Sequence, residues 1–389
     1  MLRDFSARAL VAGLLAAFVG FASSFAVIID GLRAVGATQA EAASGLMALS
    51  VAMGLCGIVV SLRLRMPVSI AWSTPGAALL ATTGAVAGGF PAAVGAFLLA
   101  GLLIVLAGLF RPLGRWVAAI PPPLASAMLA GVLLNLCLAP VRAVAATPLL
   151  GLPVVLVWAG VARWKRLYAV PAAVLVAVLL IALTAPADAT RLGSLWPELV
   201  PVWPVFTAAS VVGIAVPLFI VTMASQNIPG MAVLSVNGFR PPAPPLFRAT
   251  GIATLLSAPF GAHAVNLAAI TAAMCAGEDA HPDPARRYWA AATAGAAYVL
   301  LGLGAAAATG FLADSPPILI EAVAGLALLG AFGGAIMAAV ADPSTREAAV
   351  ICFLVTGSGV RLLGISGAFW GLVAGGALMA LGRWRRVPA

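Results

Sequence analysis

Long apolar runs succeed one another from Ala7 to Leu381, separated by short breaks that hold the charged residues or a Pro/Gly cluster. Runs of this length with few charges are membrane-spanning helix candidates, and their number predicts an all-α polytopic membrane protein. The pattern places spans at 8–29, 41–62, 72–88, 91–110, 122–144, 148–161 and 167–185 in the first half. In the second half it places them at 205–228, 245–258, 265–277, 285–312, 316–341, 345–361 and 365–382. The opening run is too long for a signal peptide and lacks a small-x-small cleavage site before a polar region, so it reads as a span.

Two runs are broken near their start. Residues 68–83 read VSIAWSTPGAALLATT, and residues 257–273, SAPFGAHAVNLAAITAA, echo them. Interrupted segments at matching places in two halves point to a transporter's binding site, because irregular backbone at membrane depth survives only against protein or a wet cavity. Two further matches fall in the same order. Pro122-Pro123 with Ala130-Gly131 parallels Pro316-Pro317 with Ala324-Gly325, and FVGFASS ending at Ser24 parallels FIVTMAS ending at Ser225. Seven is odd, so two seven-span repeats must lie in the membrane with opposite orientations.

Composition agrees with the pattern: 63% of residues are hydrophobic and 8% charged, with mean hydropathy +1.12. A net charge of +9 would suggest nucleic acid in a water-soluble protein. Here the basic residues sit in short loops and act as topology determinants. With both termini cytoplasmic, only Arg33, Arg142, Arg191 and Arg361 of the 21 Lys and Arg fall outside, a strong positive-inside asymmetry. The four cysteines are scattered singly through apolar runs, so neither a metal site nor a disulfide is expected. No Walker loop, HExxH or Ser/His/Asp set is present, which argues against ATP drive and against an enzyme; no cofactor is expected.

The candidate chemistry clusters at the breaks. In Trp72-Ser73-Thr74-Pro75-Gly76, Pro75 suits a first helical position with Ser73 or Thr74 as N-cap. Asn266 is the corresponding cap candidate in the echo, and the two helix N-termini would face one cavity able to hold an anion. A Pro-kinked span without a ligand is the competing reading. Gln226 and Asn227 are costly in an apolar helix unless they find partners, either neighbouring spans or a polar ligand; Ser23 and Ser24 are their counterparts in the first span. His263 could exchange protons at the mouth of the break or simply bond a carbonyl, and Glu321 could carry a proton or touch headgroup water. Asp30 and Glu41 flank an outer loop and read as solvated.

The runs SIAWSTPGAALL, SQNIPGMAVL and SPPILIEAVAGLALLGA resemble the benzoate:proton symporter family of bacterial inner membranes, over nearly the whole chain. That family is similar in architecture to uracil permease and to the nucleobase–ascorbate and sulfate/bicarbonate carriers. The resemblance implies two inverted seven-span repeats with short strands at spans 3 and 10. It also implies a core domain (residues 1–118 and 201–313) moving against a gate domain (119–200 and 314–389). The implied function is import of benzoate or a similar aromatic carboxylate with protons by alternating access, in the inner membrane, with a homodimer through the gate domain. Carried over, the site falls on Ser73, Thr74, Pro75 and Gly76, on Gln226 and Asn227, and on His263 to Asn266. Ser24 joins as the counterpart of the eighth-span pair, and Phe25, Trp72 and Phe260 are the choices for the ring. Uracil permease relatives hold carboxylates where this chain has Gln226 and Ala262/His263. Their loss suits a substrate that is itself a carboxylate. His263, Glu321 or the substrate's own carboxyl would then carry the proton. A nucleobase or inorganic-anion carrier of the same fold and an uncoupled channel are the rival readings.

Overall fold

The computed structural model describes residues 6–22, 24–110, 121–184, 198–268, 270–313, 317–362 and 365–384. Its first half comprises α1 (Ala7–Ala22), α2 (Phe25–Ala34), α3 (Gln39–Leu64), β1 (Ile70–Trp72), α4 (Thr74–Thr83), α5 (Gly89–Leu109), α6 (Pro122–Ala146), α7 (Pro148–Trp164) and α8 (Arg166–Thr184). The second half comprises α9 (Ala208–Ser235), α10 (Ala243–Ser257), β2 (Val265–Leu267), α11 (Ile270–Ala276), α12 (Tyr288–Leu303), α13 (Ala305–Ala313), α14 (Pro317–Val340), α15 (Arg346–Gly357) and α16 (Gly367–Trp384). Taking α1–α2, β1–α4, β2–α11 and α12–α13 as one span each, fourteen membrane segments follow in the expected order, seven per half.

The differences from the sequence reading have local causes. The first span runs on to Ala34 and is interrupted between Ala22 and Phe25; Ser23 lies outside the described residues. The eighth span continues past Ile228 to Ser235 by way of two π-helical turns, Val211–Ala215 and Met223–Asn227. Pro217 and Pro229 explain both turns. Each proline lacks an N–H and its ring presses on the carbonyl four residues back, so the helix widens there instead of stopping. A short hairpin, β3 (Arg361–Leu362) with β4 (Ile365–Ser366), separates α15 from α16 at the break the sequence places after residue 361, and trims the helices to Gly357 and Gly367. Glu41 is committed to a capping box: Thr38 N donates to its carboxylate at 2.8 Å, while Glu41 N donates to Thr38 Oγ1 at 3.3 Å.

Two sets of helices pack among themselves. One joins α1, α3 and α12, α5 with α10, and α2 with α4; the other joins α6, α14, α15 and α16, and α7 with α8. Small residues make close crossings affordable inside a bilayer, where apolar burial between helices gives no advantage over lipid. A Cβ on Gly131 would meet Thr356 Cβ at 2.6 Å, and one on Gly295 would meet the Gly54 carbonyl at 2.6 Å.

At the centre, β1 and β2 form an antiparallel pair with Ile70 opposite Leu267, Ala71 opposite Asn266 and Trp72 opposite Val265. Matched segments of two repeats running antiparallel is what opposite membrane orientation requires. Ser73 N donates to Ala264 O at 3.0 Å and Ala268 N to Ser69 O at 2.9 Å, extending the ladder beyond both strand ends. Backbone that cannot bond to water at this depth is thereby satisfied.

Candidate functional site

The strand pair aims β1 at the start of α4, and the local sequence explains the turn. Ser73 Oγ accepts from Gly76 N at 3.1 Å, so Ser73 is the N-cap and Thr74 the first helical residue, with Pro75 where its missing N–H costs nothing. Thr222 Oγ1 from α9 donates to the same Ser73 oxygen at 2.9 Å. A side chain on Gly76 would run into Ser73 Oγ and Leu218, so α4 starts tight against α9.

A cavity of about 60 Å³ adjoins this turn, lined by Gly20, Ser24, Trp72, Thr74, Gln226, Thr271 and Tyr298 together with Val19, Met53, Ala71 and Ala268. It has room for a few water molecules. Thr74 and Gln226 are half-buried, and neither side chain has a hydrogen-bond partner among the described residues. The second π turn is what carries Gln226 onto this face. Trp72 is held by its indole N–H, which donates to Ser24 Oγ at 2.8 Å, while Ser24 Oγ donates to Gly20 O at 2.9 Å. Phe21 lies 5.3 Å from the Trp72 ring and stacks on Phe25 at 5.6 Å.

The other residues singled out from sequence stand behind this cavity. Asn227 is fully buried; its Oδ1 accepts from Leu267 N at 2.9 Å and its amide donates to Met223 Sδ at 3.1 Å. His263 Nε2 lies 2.9 Å from Ser73 O, a carbonyl, so Nε2 carries the proton and donates; Nδ1 is buried without a partner, and Phe97 meets the ring edge-on at 6.4 Å. Asn266 does not cap α11. It sits in the middle of β2, because strand pairing with Ala71 claims its backbone. Its amide, oriented to satisfy both ends, donates to Leu267 O at 3.0 Å and accepts from Ser73 N at 3.1 Å.

Phe25 lines a smaller apolar cleft with Val174, Ala177, Ile320 and Val323, between α2, α8 and α14. Phe260 is placed elsewhere. It lines a groove of about 730 Å³ between α3 and α10 that is walled almost wholly by apolar side chains and opens outward past Leu55 and Leu256. Size alone would nominate that groove, but it lacks the convergent polar groups a ligand site needs. Glu321 lies on α14 within electrostatic range of Asp30 on α2, with Arg33 nearby; Asp30 is half-buried there instead of freely solvated. Among the described residues no cluster of His, Cys, Asp or Glu could hold a metal ion. The sequence reading did not single out Thr271, Tyr298 or Gly20 as site residues, although Thr271 lies in the second broken run and Gly20 in the FVGFASS match; only Tyr298 lies in a run with neither break nor motif.

Comparison with known proteins bears on this arrangement. The family profile described as benzoate membrane transport protein (BenE) matches residues 3–381. The chain is 42% identical over 369 residues to the inner membrane protein YdcO of Escherichia coli (strain K12), covering 94% of each. It is 32% identical over 392 residues to the benzoate membrane transport protein of Acinetobacter baylyi (strain ATCC 33305 / BD413 / ADP1), covering 96% of this chain and 94% of that one. Among solved structures, it is similar to the transmembrane domain of a cyanobacterium bicarbonate transporter, BicA, with TM-score 0.59 and 15% identity, over 98% of this chain and 97% of the other. Murine Solute Carrier 26 family member A9, an anion transporter in the inward-facing state, gives TM-score 0.63 and 12% identity over 100% of this chain and 70% of the other. These structures establish the polytopic inverted-repeat transporter fold.

Proposed function

The chain belongs to the family of benzoate membrane transport proteins, and from that membership and the cavity at the strand crossing we propose that it imports benzoate or a similar aromatic carboxylate together with a proton. The observation that carries the substrate reading is the pair of unpartnered polar groups, Thr74 and Gln226, beside an aromatic wall at the first turn of α4. A carboxylate there receives the dipole of the ten-residue α4 and the N–H of Thr74, the one first-turn donor left once Ser73 Oγ has taken Gly76 N, together worth up to about 2 kcal/mol in a partly buried geometry. Thr74 and Gln226 donate to its oxygens, and the ring lies on Trp72. Among the described residues no acidic side chain lines the cavity to repel it.

An aromatic acid needs more room than the cavity offers, so the site widens in the cycle. In this reading residues 1–118 and 201–313 form a core that moves against a gate of 119–200 and 314–389. The dividing points near 118 and 200 and at 314 fall on or beside residues outside those described. The apolar cleft at Phe25 lies where α2 of the core meets α8 and α14 of the gate, a route by which a ring could reach Trp72. Glu321 is the better proton carrier than His263. It sits at that same junction beside Asp30, whereas His263 has committed Nε2 to Ser73 and would have to accept a second proton with no acceptor facing it.

Uptake of labelled benzoate into proteoliposomes under an imposed pH gradient, with and without a membrane potential, tests this. One proton per monovalent anion is electroneutral and should ignore the potential. A second proton would couple uptake by about 2.3 kcal/mol per 100 mV. Uptake indifferent to both gradients excludes symport. The small cavity and the bicarbonate transporter's likeness favour an inorganic anion as the second reading. Competition of benzoate uptake by bicarbonate and sulfate separates the two.

A further inference from the structure

Tyr298 on α12 is 1% exposed and forms part of the cavity wall, its ring 6.4 Å from that of Trp72. The Thr271 side chain stands beside the Tyr298 hydroxyl, and Thr271 Oγ1 lies 2.9 Å from Ser69 Oγ. Behind the phenol stands α1, where its hydroxyl approaches Ala16 O at 3.5 Å. The hydroxyl occupies the space that a side chain on residue 20 would fill. A Cβ added to Gly20 would overlap the phenol oxygen, whereas it would come only to 3.3 Å from Cζ and 3.1 Å from Thr271 Cγ2. The absence of a side chain at Gly20 therefore lets the ring lie back against α1. One added methyl there would drive it into the cavity.

We propose that Gly20 and Tyr298 act as a pair that determines specificity, setting by their mutual fit how large a ring substituent the cavity accepts. The inference rests on the reading of this cavity as the transport site. Thr74 and Gln226, from α4 and α9, hold the carboxylate; the phenol, backed by α1, bounds the space left for the ring. Removing the phenol oxygen frees a volume close to that of a methyl group, and one methylene in an apolar pocket changes discrimination by about 10- to 200-fold.

The test is uptake of benzoate and of its three monomethyl derivatives by the full chain in proteoliposomes. Tyr298→Phe is expected to shift preference toward at least one methylbenzoate by about tenfold relative to benzoate. Gly20→Ala is expected to lose benzoate uptake at least about tenfold on the same scale, and the double variant Gly20→Ala/Tyr298→Phe to recover most of it, because the overlapping oxygen is gone. An unaltered preference in Tyr298→Phe, or a double variant no better than Gly20→Ala, overturns the proposal. Should Gly20→Ala fail to fold, the Tyr298→Phe preference decides alone. Gln226→Ala is measured alongside. If it transports every acid as the parent does, the cavity is not the transport site; if it fails while the Tyr298 variants keep the parental preference, only the pairing is wrong.

Discussion

The two broken spans are related by repeat, yet they do different work. The first turns through Trp72-Ser73-Thr74 into a ten-residue helix, and puts Trp72 and an unpartnered Thr74 on the cavity. The second puts Ala268 and Thr271 there, while its polar residues His263 and Asn266 bond backbone at Ser73 and Leu267. In the proposed function one copy presents groups to the ligand, and the other holds that copy in place. The same asymmetry separates neighbours on α9, where Gln226 faces the cavity and Asn227 props β2.

Breaking the presenting side should have the largest effect. Gln226→Ala combined with Thr74→Val is expected to cut benzoate uptake about 100-fold or more, two charge-assisted hydrogen bonds at about 1.5–3 kcal/mol each, with an unchanged melting temperature in detergent. Asn227→Leu strikes the bracing side. Leaving Leu267 N unsatisfied should destabilise the fold by about 1–3 kcal/mol, read as a lower melting temperature and a smaller yield of folded protein. If Asn227→Leu instead melts like the parent and abolishes binding, the division of labour is wrong.

Glu321→Gln sharpens the assignment of the proton. It should abolish stimulation of uptake by a pH gradient while exchange of benzoate across the membrane continues; His263→Gln should keep the pH response. The reverse outcome would falsify the choice of Glu321. A smaller effect is expected at the periphery: Thr38→Ala removes the α3 capping box at a cost of about 0.5–2 kcal/mol, with benzoate affinity unaltered.

Much of this was legible in the chain. The order of the spans, the two breaks and a cap at Ser73 or Thr74 follow from properties a residue carries with it: side-chain hydropathy, the missing N–H of proline, the short hydroxyls of serine and threonine. Asn266 shows where that reasoning stops. Asparagine favours a cap over a strand, and pairing with a strand 195 residues away overrode that local preference. Phe260 shows the same limit, since an aromatic near a break can face either side of it.

By itself, then, the sequence determined the membrane class, the seven-plus-seven order and the residues at which the backbone must leave the helix. Only the tertiary structure decided which polar side chains remain free. Facing direction depends on the β1–β2 register and on the π turn at 223–227, both products of contacts between distant segments. It also brought Tyr298 against Gly20, a fit between two spans that no local pattern encodes, since each residue is ordinary in its own helix.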